Sequence, residues 1–220
     1  MRFAGIIPAA GLSTRFGDKQ LKQDVLLGGK RVLQWSIDAL RTHCEFLCVA
    51  VPADELHRFA SQYSGVDRFV VGGATRAQSV GAALQALPDD LQAVLVHDAA
   101  RPAVSPEIIL RVKAAVTQFG AAIAAVPVVD TLKQVNAEKM VEATLDRSKL
   151  WAAQTPQGFR LDWYREAWER FKHVNVTDDA TWIELLGKQV HVVLGDETNR
   201  KLTTPDDVAF LAGALSKHLR

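Results

Sequence analysis

Three short stretches set small residues beside an arginine: PAAGLSTRFG at 8–17, GGATR at 72–76 and HDAARP at 97–102. Glycine and alanine let a ligand approach the backbone closely, and the amides of such loops can point at an anion. In the first stretch Ala9, Ala10 and Gly11 offer backbone groups, while Arg15 and, seven residues on, Lys22 place two cations at the mouth. That combination can hold a polyphosphate and stabilise charge building on a phosphoryl group in transfer. An arbitrary arginine and lysine are solvated surface charges; only their setting points to phosphate. Neither GxGxxG nor GxxxxGK(S/T) occurs, because Gly11 is followed by Ser13 rather than a spaced glycine, so no dinucleotide site is indicated.

In the second stretch Thr75 or Ser79 can bond the backbone of a helix start, and Gly72 and Gly73 let a base lie against the chain. A plain strand-to-helix turn is an equal reading of the same residues. In the third, Asp98 follows the apolar AVLV with nothing bulky beside it, where a magnesium-bound triphosphate or a ribose can sit. Capping a helix or pairing with Arg101 is the structural alternative. Further along, Asp130-Thr131, Asp146-Arg147, Thr155, Thr177-Asp178-Asp179 and Arg200-Lys201 combine hydroxyls with cations. Singly each is a surface or turn feature. Together they suit a second phosphorylated ligand better than acyl transfer, since no Ser-His-Asp or Cys-His order is evident. The 6 histidines are scattered and no HExxH or CxxC occurs, so no protein-held metal is expected.

The elements that must position these groups are legible as apolar runs separated by amphipathic stretches. FAGII, FLCVAV, RFVVG, AVLVH and AAIAAVPVV alternate with VLQWSIDALRTH, DELHRFASQY, TRAQSVGAALQAL and SPEIILRVKAAVTQF. Strands apolar throughout, alternating with helices, predict a doubly wound, mostly parallel α/β sheet covered on both faces. In such sheets ligands bind outside the carboxyl ends of the strands, and all three loops follow strands there. After Val129 the rhythm changes: residues 130–147 alternate apolar and polar on either side of NAEK, which reads as two antiparallel strands projecting from the sheet. A ribbon of two strands is barely stable alone, so a partner subunit is the expected support, with folding back onto its own domain as the alternative. Trp163 to Phe171 and DDATWIELLG read as helices and KQVHVVLG as a strand. In TPDD, Thr204 reads as an N-cap with Pro205 at the first helical position of the last helix.

Composition narrows the class. The 220 residues, 48% hydrophobic and 23% charged, fit one globular domain over 1–220, with the arm at 130–147 inside it. The 26 basic against 25 acidic residues give a net charge of +1, so no nucleic-acid partner is expected. Cys44 and Cys48 flank a strand and read as small core residues. MRFAGII runs straight into the first strand without a leader pattern, no run is long enough to span a bilayer, and the expected compartment is the cytoplasm.

In order, PAAGLSTRFG, KQLKQ, GGATRAQSV, VHDAARP, VVDTLK, LDRSKLWAAQTPQGF, VTDDA and NRKLTTPDD resemble the motifs of the 2-C-methyl-D-erythritol 4-phosphate cytidylyltransferases of non-mevalonate isoprenoid biosynthesis. VHDAARP and the segment DR…LW…TPQ are the most specific of these. The resemblance implies a Rossmann-like fold of the nucleotide-diphospho-sugar transferase type with a projecting β-arm. It implies transfer of CMP from CTP to methylerythritol 4-phosphate, releasing pyrophosphate, with Mg²⁺ carried mainly on the triphosphate. By motif position Arg15 and Lys22 would stabilise the α-phosphate, with Ala9, Ala10 and Gly11 wrapping the triphosphate. Gly73, Ala74, Ser79 and Ala99 would recognise cytosine, and Arg76 and Asp98 would lie on the nucleotide side. Arg101, Thr131, Thr155 and Thr177 would surround the acceptor, and Arg147 and Lys201 would hold its phosphate. In a homodimer interlocked by the arms, Arg147 would complete the neighbour's site.

The chain departs from that pattern at three positions: Ser13 for a glycine, Leu21 for a proline before Lys22, and Ala74 for an acid. Losing the proline leaves the backbone before Lys22 without its usual restraint. A cytidylyltransferase for another polyol phosphate, such as ribitol 5-phosphate, and a catalytically silent nucleotide-binding dimer are the alternative readings.

Overall fold

A computed structural model of the chain describes residues 1–11 and 22–218. Strand β1 (Phe3–Pro8) leads to a 3-10 turn at Lys22–Asp24, the short hairpin β2 (Leu26–Leu27) and β3 (Lys30–Arg31), and helix α1 (Val32–Arg41). Then come β4 (Phe46–Val51), α2 (Leu56–Gln62), β5 (Arg68–Val71), α3 (Arg76–Gln85), β6 (Ala93–Val96), α4 (Pro106–Phe119) and β7 (Ala121–Pro127). The arm strands β8 (Lys133–Val135) and β9 (Val141–Thr144) precede β10 (Trp151–Arg160), α5 (Leu161–Phe171), α6 (Ala180–Leu185), β11 (His191–Leu194) and α7 (Asp207–His218).

Among the described residues the main sheet has the order β11-β7-β10-β6-β1-β4-β5. The pairs β1·β4, β1·β6, β4·β5 and β11·β7 are parallel, whereas β10 runs antiparallel to both β6 and β7. The expected doubly wound sheet is therefore present, with one reversed strand near its centre. Side chains alternate across it as a strand buried on both faces requires. Phe3 and Ile7 of β1 join Leu33, Ile37, Ile109 and Val112 on one side, beneath α1 and α4. Ala4 and Ile6 join Val80, Leu84, Phe159, Tyr164, Trp168 and Trp182 on the other, beneath α3, α5 and α6. At Gly81 a Cβ would collide with the Trp168 ring, so α3 and α5 can approach this closely only with glycine there.

Local chemistry explains several boundaries. Thr75 caps α3 by accepting from the Gln78 amide while the Gln78 side chain accepts from the Thr75 amide, a reciprocal capping box. Pro106 opens α4, and Gly120 closes it at φ 88°, donating its amide to Val116. Cys44 and Cys48 are buried free thiols whose pKa burial pushes up to about 12, as expected of core residues.

The arm forms where the alternation places it. Strands β8 and β9 pair antiparallel around a turn in which the Asn136 amide donates to Met140 O and Lys139 takes φ 64°. Val135, Met140 and Val141 on it, and Val129 just before it, are exposed.

One expected boundary needs correction, and two elements lie outside the apolar pattern. Strand β10 was not foreseen, because WAAQTPQGFR is broken by polar residues and a proline rather than forming an apolar run. The hairpin of β2 and β3 around Gly28-Gly29 was also missed, each strand being two residues long. Helix α7 begins at Asp207, not at Pro205: the Asp207 carboxylate accepts from the Thr203 and Thr204 amides at 2.9 Å each, leaving Pro205 in the preceding turn. Asp207 thus supplies the helix-start chemistry, and Thr204 is not the cap. No described helix is long and apolar enough to cross a membrane.

Candidate active site

At the carboxyl ends of β1 and β6 a cavity of about 250 Å³ opens between the first loop and the start of α3. Pro8, Gly11, Lys22, Gln23, Ser79, Ala99 and Ala100 line it. A second cavity of about 150 Å³ lies beside it, lined by Arg101, Thr155, Gln157, Thr177 and Asp178 among others. Arg76, Asp98 and Lys201 line both, so three charged side chains form the divide between two ligand-sized spaces.

The walls come together through small residues. A Cβ on Gly72 would overlap Ala10 Cβ and stand 2.8 Å from Ser79 Oγ, so the loops after β1 and β5 meet in contact. Gly72 therefore serves loop-to-loop packing, a reason beyond access for a ligand. The Ser79 hydroxyl accepts from the Gly73 amide at 3.2 Å and lies 3.0 Å from Thr75 O, folding GGATR onto its own helix. Beneath the first loop, the Ala9 amide donates to Ala50 O at 2.7 Å and the Gln23 side chain donates to Ala9 O.

Asp98 is the electrostatic centre. Its carboxylate lies 3.1 Å from Arg76 Nε, 2.9 Å from Lys201 Nζ and 3.5 Å from Arg101 Nε. Burial alone would raise its pKa, but Arg76, Lys201 and Arg101 together overcome that and hold it far below the usual carboxylate range. Arg76 also reaches Asp179 Oδ2 at 2.7 Å, and Asp179 accepts from the Tyr164 hydroxyl at 2.6 Å. Arg101 donates to Asn199 O at 2.7 Å, and Asn199 Nδ2 bonds Thr155 O at 2.8 Å, tying the segment before Lys201 to β10.

His97 fixes the loop carrying Asp98. Fully buried, it contacts Arg101 O through Nε2 at 3.1 Å and Thr155 Oγ1 through Nδ1 at 3.0 Å. A carbonyl only accepts, so Nε2 carries the proton, Nδ1 accepts from the Thr155 hydroxyl, and that hydroxyl accepts from the Asp98 amide at 3.0 Å. Burial, with a contribution from the Arg101 charge, pulls the imidazole down to about 4 against the pull of Arg101 O and Asp98. His97 is therefore a neutral strut. Thr155 sits where the β10–β7 register shifts between Ala153 and Gln157, next to a cis Thr155–Pro156 bond.

The residues singled out in the sequence divide by place. Gly11, Lys22, Arg76, Ser79, Asp98, Ala99 and Lys201 converge on the first cavity, and Arg101, Thr155 and Thr177 on the second. Ala9, Ala10, Gly73 and Ala74 are not in the lining of either cavity; Ala9 is buried, Ala10 and Gly73 are half-buried and Ala74 is exposed. Thr131 and Arg147 are exposed on the arm and line neither cavity; the Arg147 guanidinium bonds Val129 O. Arg15, Ser13 and Leu21 lie outside the described residues. Sequence reasoning missed Gln23, Gln154, Gln157 and Asn199, all buried. Their signal was available for Gln154 and Gln157: two glutamines in a stretch flanked by alanine, glycine and phenylalanine.

The model of the 2-C-methyl-D-erythritol 4-phosphate cytidylyltransferase family matches residues 3–217. The chain belongs to this cytidylyltransferase family. A relative of that name from Microcystis aeruginosa is 39% identical, over 97% of this chain and 99% of its own length. One from Thermosynechococcus vestitus is 41% identical over 98% and 95%. The crystal structure of the Thermus thermophilus 2-C-methyl-D-erythritol 4-phosphate cytidylyltransferase superposes with a TM-score of 0.81 at 36% identity, covering 99% of this chain and 100% of that one. The 4-diphosphocytidyl-2C-methyl-D-erythritol synthase from Anaerococcus prevotii gives a TM-score of 0.84 at 28% identity over 98% of each chain. Members of the cytidylyltransferase family are nucleotidyltransferases, a class that works on phosphoanhydrides and generally with a divalent metal. Among the described residues no three His, Cys, Asp or Glu side chains cluster as a metal site, and the Asp98 oxygens face three cations. That donor set does not fit a cation held by the protein alone.

Proposed function

We propose that the protein transfers CMP from CTP to 2-C-methyl-D-erythritol 4-phosphate, giving 4-diphosphocytidyl-2-C-methyl-D-erythritol and pyrophosphate. The observation that carries this reading is the pair of adjoining cavities with Arg76, Asp98 and Lys201 on their shared border. Two ligands seated on either side of that border would meet there. CTP occupies the larger space, with its triphosphate on the Ala9-Ala10-Gly11 turn and Lys22, and its base toward Gly73, Ala74, Ser79 and Ala99. The acceptor occupies the smaller one, among Arg101, Thr155, Thr177 and Lys201.

An oxygen of the acceptor phosphate attacks the α-phosphorus of CTP; the bond to the α–β bridging oxygen breaks and its electron pair leaves with pyrophosphate. A phosphate dianion is already a nucleophile, so no general base is needed, and catalysis is positioning plus electrostatics. Lys22 and Arg15 would neutralise charge growing on the α-phosphate oxygens, and Lys201 would hold the acceptor phosphate. Mg²⁺ would arrive with CTP, held by the substrate and not by side chains of this protein, and would supply charge neutralisation for the leaving pyrophosphate. Asp98 orients Lys201 and Arg76 toward their ligands.

Thr131 and Arg147 support a homodimer, because they stand on an exposed arm away from their own chain's cavities. They would complete the partner's acceptor site, and the exposed Val129, Val135 and Val141 would be covered in the dimer. The cytoplasm, where CTP is made, is the compartment in which we place this reaction. Phosphorus NMR of CTP, Mg²⁺ and methylerythritol 4-phosphate with the protein tests the product. The reading requires two coupled diphosphate signals to grow with free pyrophosphate; CMP or CDP appearing instead contradicts it.

A further inference from the structure

Lys22 lacks a preceding proline, yet it stands on a 3-10 turn whose far side is tied down from another part of the chain. The Tyr63 hydroxyl, just beyond α2, lies 2.7 Å from Asp24 Oδ1 and 3.2 Å from Gln23 O. Arg58 of α2 places Nη2 2.9 Å from Asp24 Oδ2 and Nη1 3.2 Å from Oδ1, a two-pronged grip on the same carboxylate. Tyr63 is 5% exposed and its ring packs on Phe59 at 5.1 Å between centroids, so the donor is fixed by packing. Within the turn, the Val25 amide donates to Lys22 O at 3.2 Å, and Gln23 reaches across to Ala9 O. These contacts engage the Lys22 carbonyl and the two residues that follow it. Asp24, Arg58 and Tyr63 themselves stand outside the cavity lining, while Lys22 and Gln23 are in it.

We propose that Tyr63, Asp24 and Arg58 are positioning residues that hold the Lys22–Asp24 turn so that the Lys22 ammonium faces the nucleotide cavity. The inference rests on the reading of Lys22 as the α-phosphate ligand. Its physical basis is preorganisation: a flexible lysine loses rotational freedom on engaging the transition state, and a fixed backbone reduces what remains to be lost. The cluster takes over the restraint that a proline at position 21 would give. Burial, reinforced by the Asp24 carboxylate, raises the Tyr63 pKa well above that of a free phenol, so the hydroxyl remains a donor throughout the working range.

The test is a double-mutant cycle on the full chain, read as the single-turnover rate at saturating CTP and acceptor. Tyr63→Phe removes the donor and keeps the ring on Phe59. Asp24→Asn removes the charge at constant shape and serves if the first variant folds poorly. Each is expected to slow the single-turnover rate about tenfold, a charge-assisted hydrogen bond's worth, with the KM for CTP unchanged within about twofold. In a Lys22→Ala background neither is expected to slow it further. A loss of equal size in both backgrounds overturns the proposal and makes the cluster a plain stabiliser. Wild-type rates for both variants beside a slow Lys22→Ala overturn this inference alone. A wild-type rate for Lys22→Ala overturns the reading of Lys22 itself, and the inference with it.

Discussion

Acid should weaken this fold through His97 in a way that one variant can isolate. His97 is buried as a neutral strut, its pKa lowered from 6.5 to about 4 chiefly by burial. Because the folded value lies below the unfolded one, the unfolded chain binds a proton between them that the folded chain refuses. Stability is therefore indifferent to His97 above pH 6.5 and falls as the pH drops toward 4. At pH 5 the loss relative to pH 7 comes to about 2 kcal/mol, and at pH 4 to about 3 kcal/mol, from about 1.36 kcal/mol per unit of pKa difference. His97→Asn keeps an acceptor toward Thr155 and cannot titrate. Urea unfolding of both proteins at pH 7, 6 and 5 should show the wild type losing about 2 kcal/mol more than the variant over that range. His43, which burial and Lys113 also lower, remains in both proteins and cancels. Asp98, held low by its three cations, begins to lose its contribution as the pH falls through the ordinary carboxylate value of 3.8, outside this window. In the native wild type, nitrogen NMR should find His97 untitrated above pH 5.5 with its proton on Nε2. Parallel pH dependences for the two proteins, or a His97 that titrates near 6.5, would refute the strut.

Three further outcomes follow from the site. Lys22→Ala should lower kcat by on the order of 10²-fold while the KM for CTP changes far less, whereas equal loss in both would mean ordinary ground-state binding. Asp98→Ala would leave Arg76, Arg101 and Lys201 facing one another, and should cost about 3 kcal/mol in urea unfolding as well as activity; a variant as stable as wild type would show that the three cations do not need it. Arg15→Ala and Arg147→Ala, each inactive alone, should recover about a quarter of wild-type activity when mixed one to one with verified subunit exchange, because one site of each heterodimer is then intact. No recovery would place both arginines in a single subunit's site.

The sheet was legible because its parallel strands are continuous apolar runs, and the loops after them advertised themselves by small residues next to charges. What escaped the sequence shares one cause: residues that are polar because they face the site do not follow the hydrophobic period. Strand β10 carries Gln154, Thr155 and Gln157, whose side chains bond Asp196, His97 and Asp178, and the missing apolar run hid the strand. Asn199 and Lys201 meet Arg101 and Asp98 across nearly half the chain, which no local pattern encodes. Asp98 showed as a candidate, but its grip on three cations needed the fold. His97 adjoined it in the same motif, and only burial reveals that it is a strut. The turn before α7 was misread because Thr204 and Asp207 both suit a helix start, and the contest is decided by which side chain reaches the free amides.

The central claim is that the two adjoining cavities accept CTP and methylerythritol 4-phosphate. Pyrophosphate release in the presence of CTP and Mg²⁺, run in parallel with methylerythritol 4-phosphate and ribitol 5-phosphate, tests it most directly. The account predicts rapid release with the first and a kcat/KM at least on the order of 10²-fold lower with the second, as discrimination by a polar site implies. Preference for ribitol 5-phosphate, or silence with both acceptors while CTP still binds, would contradict it.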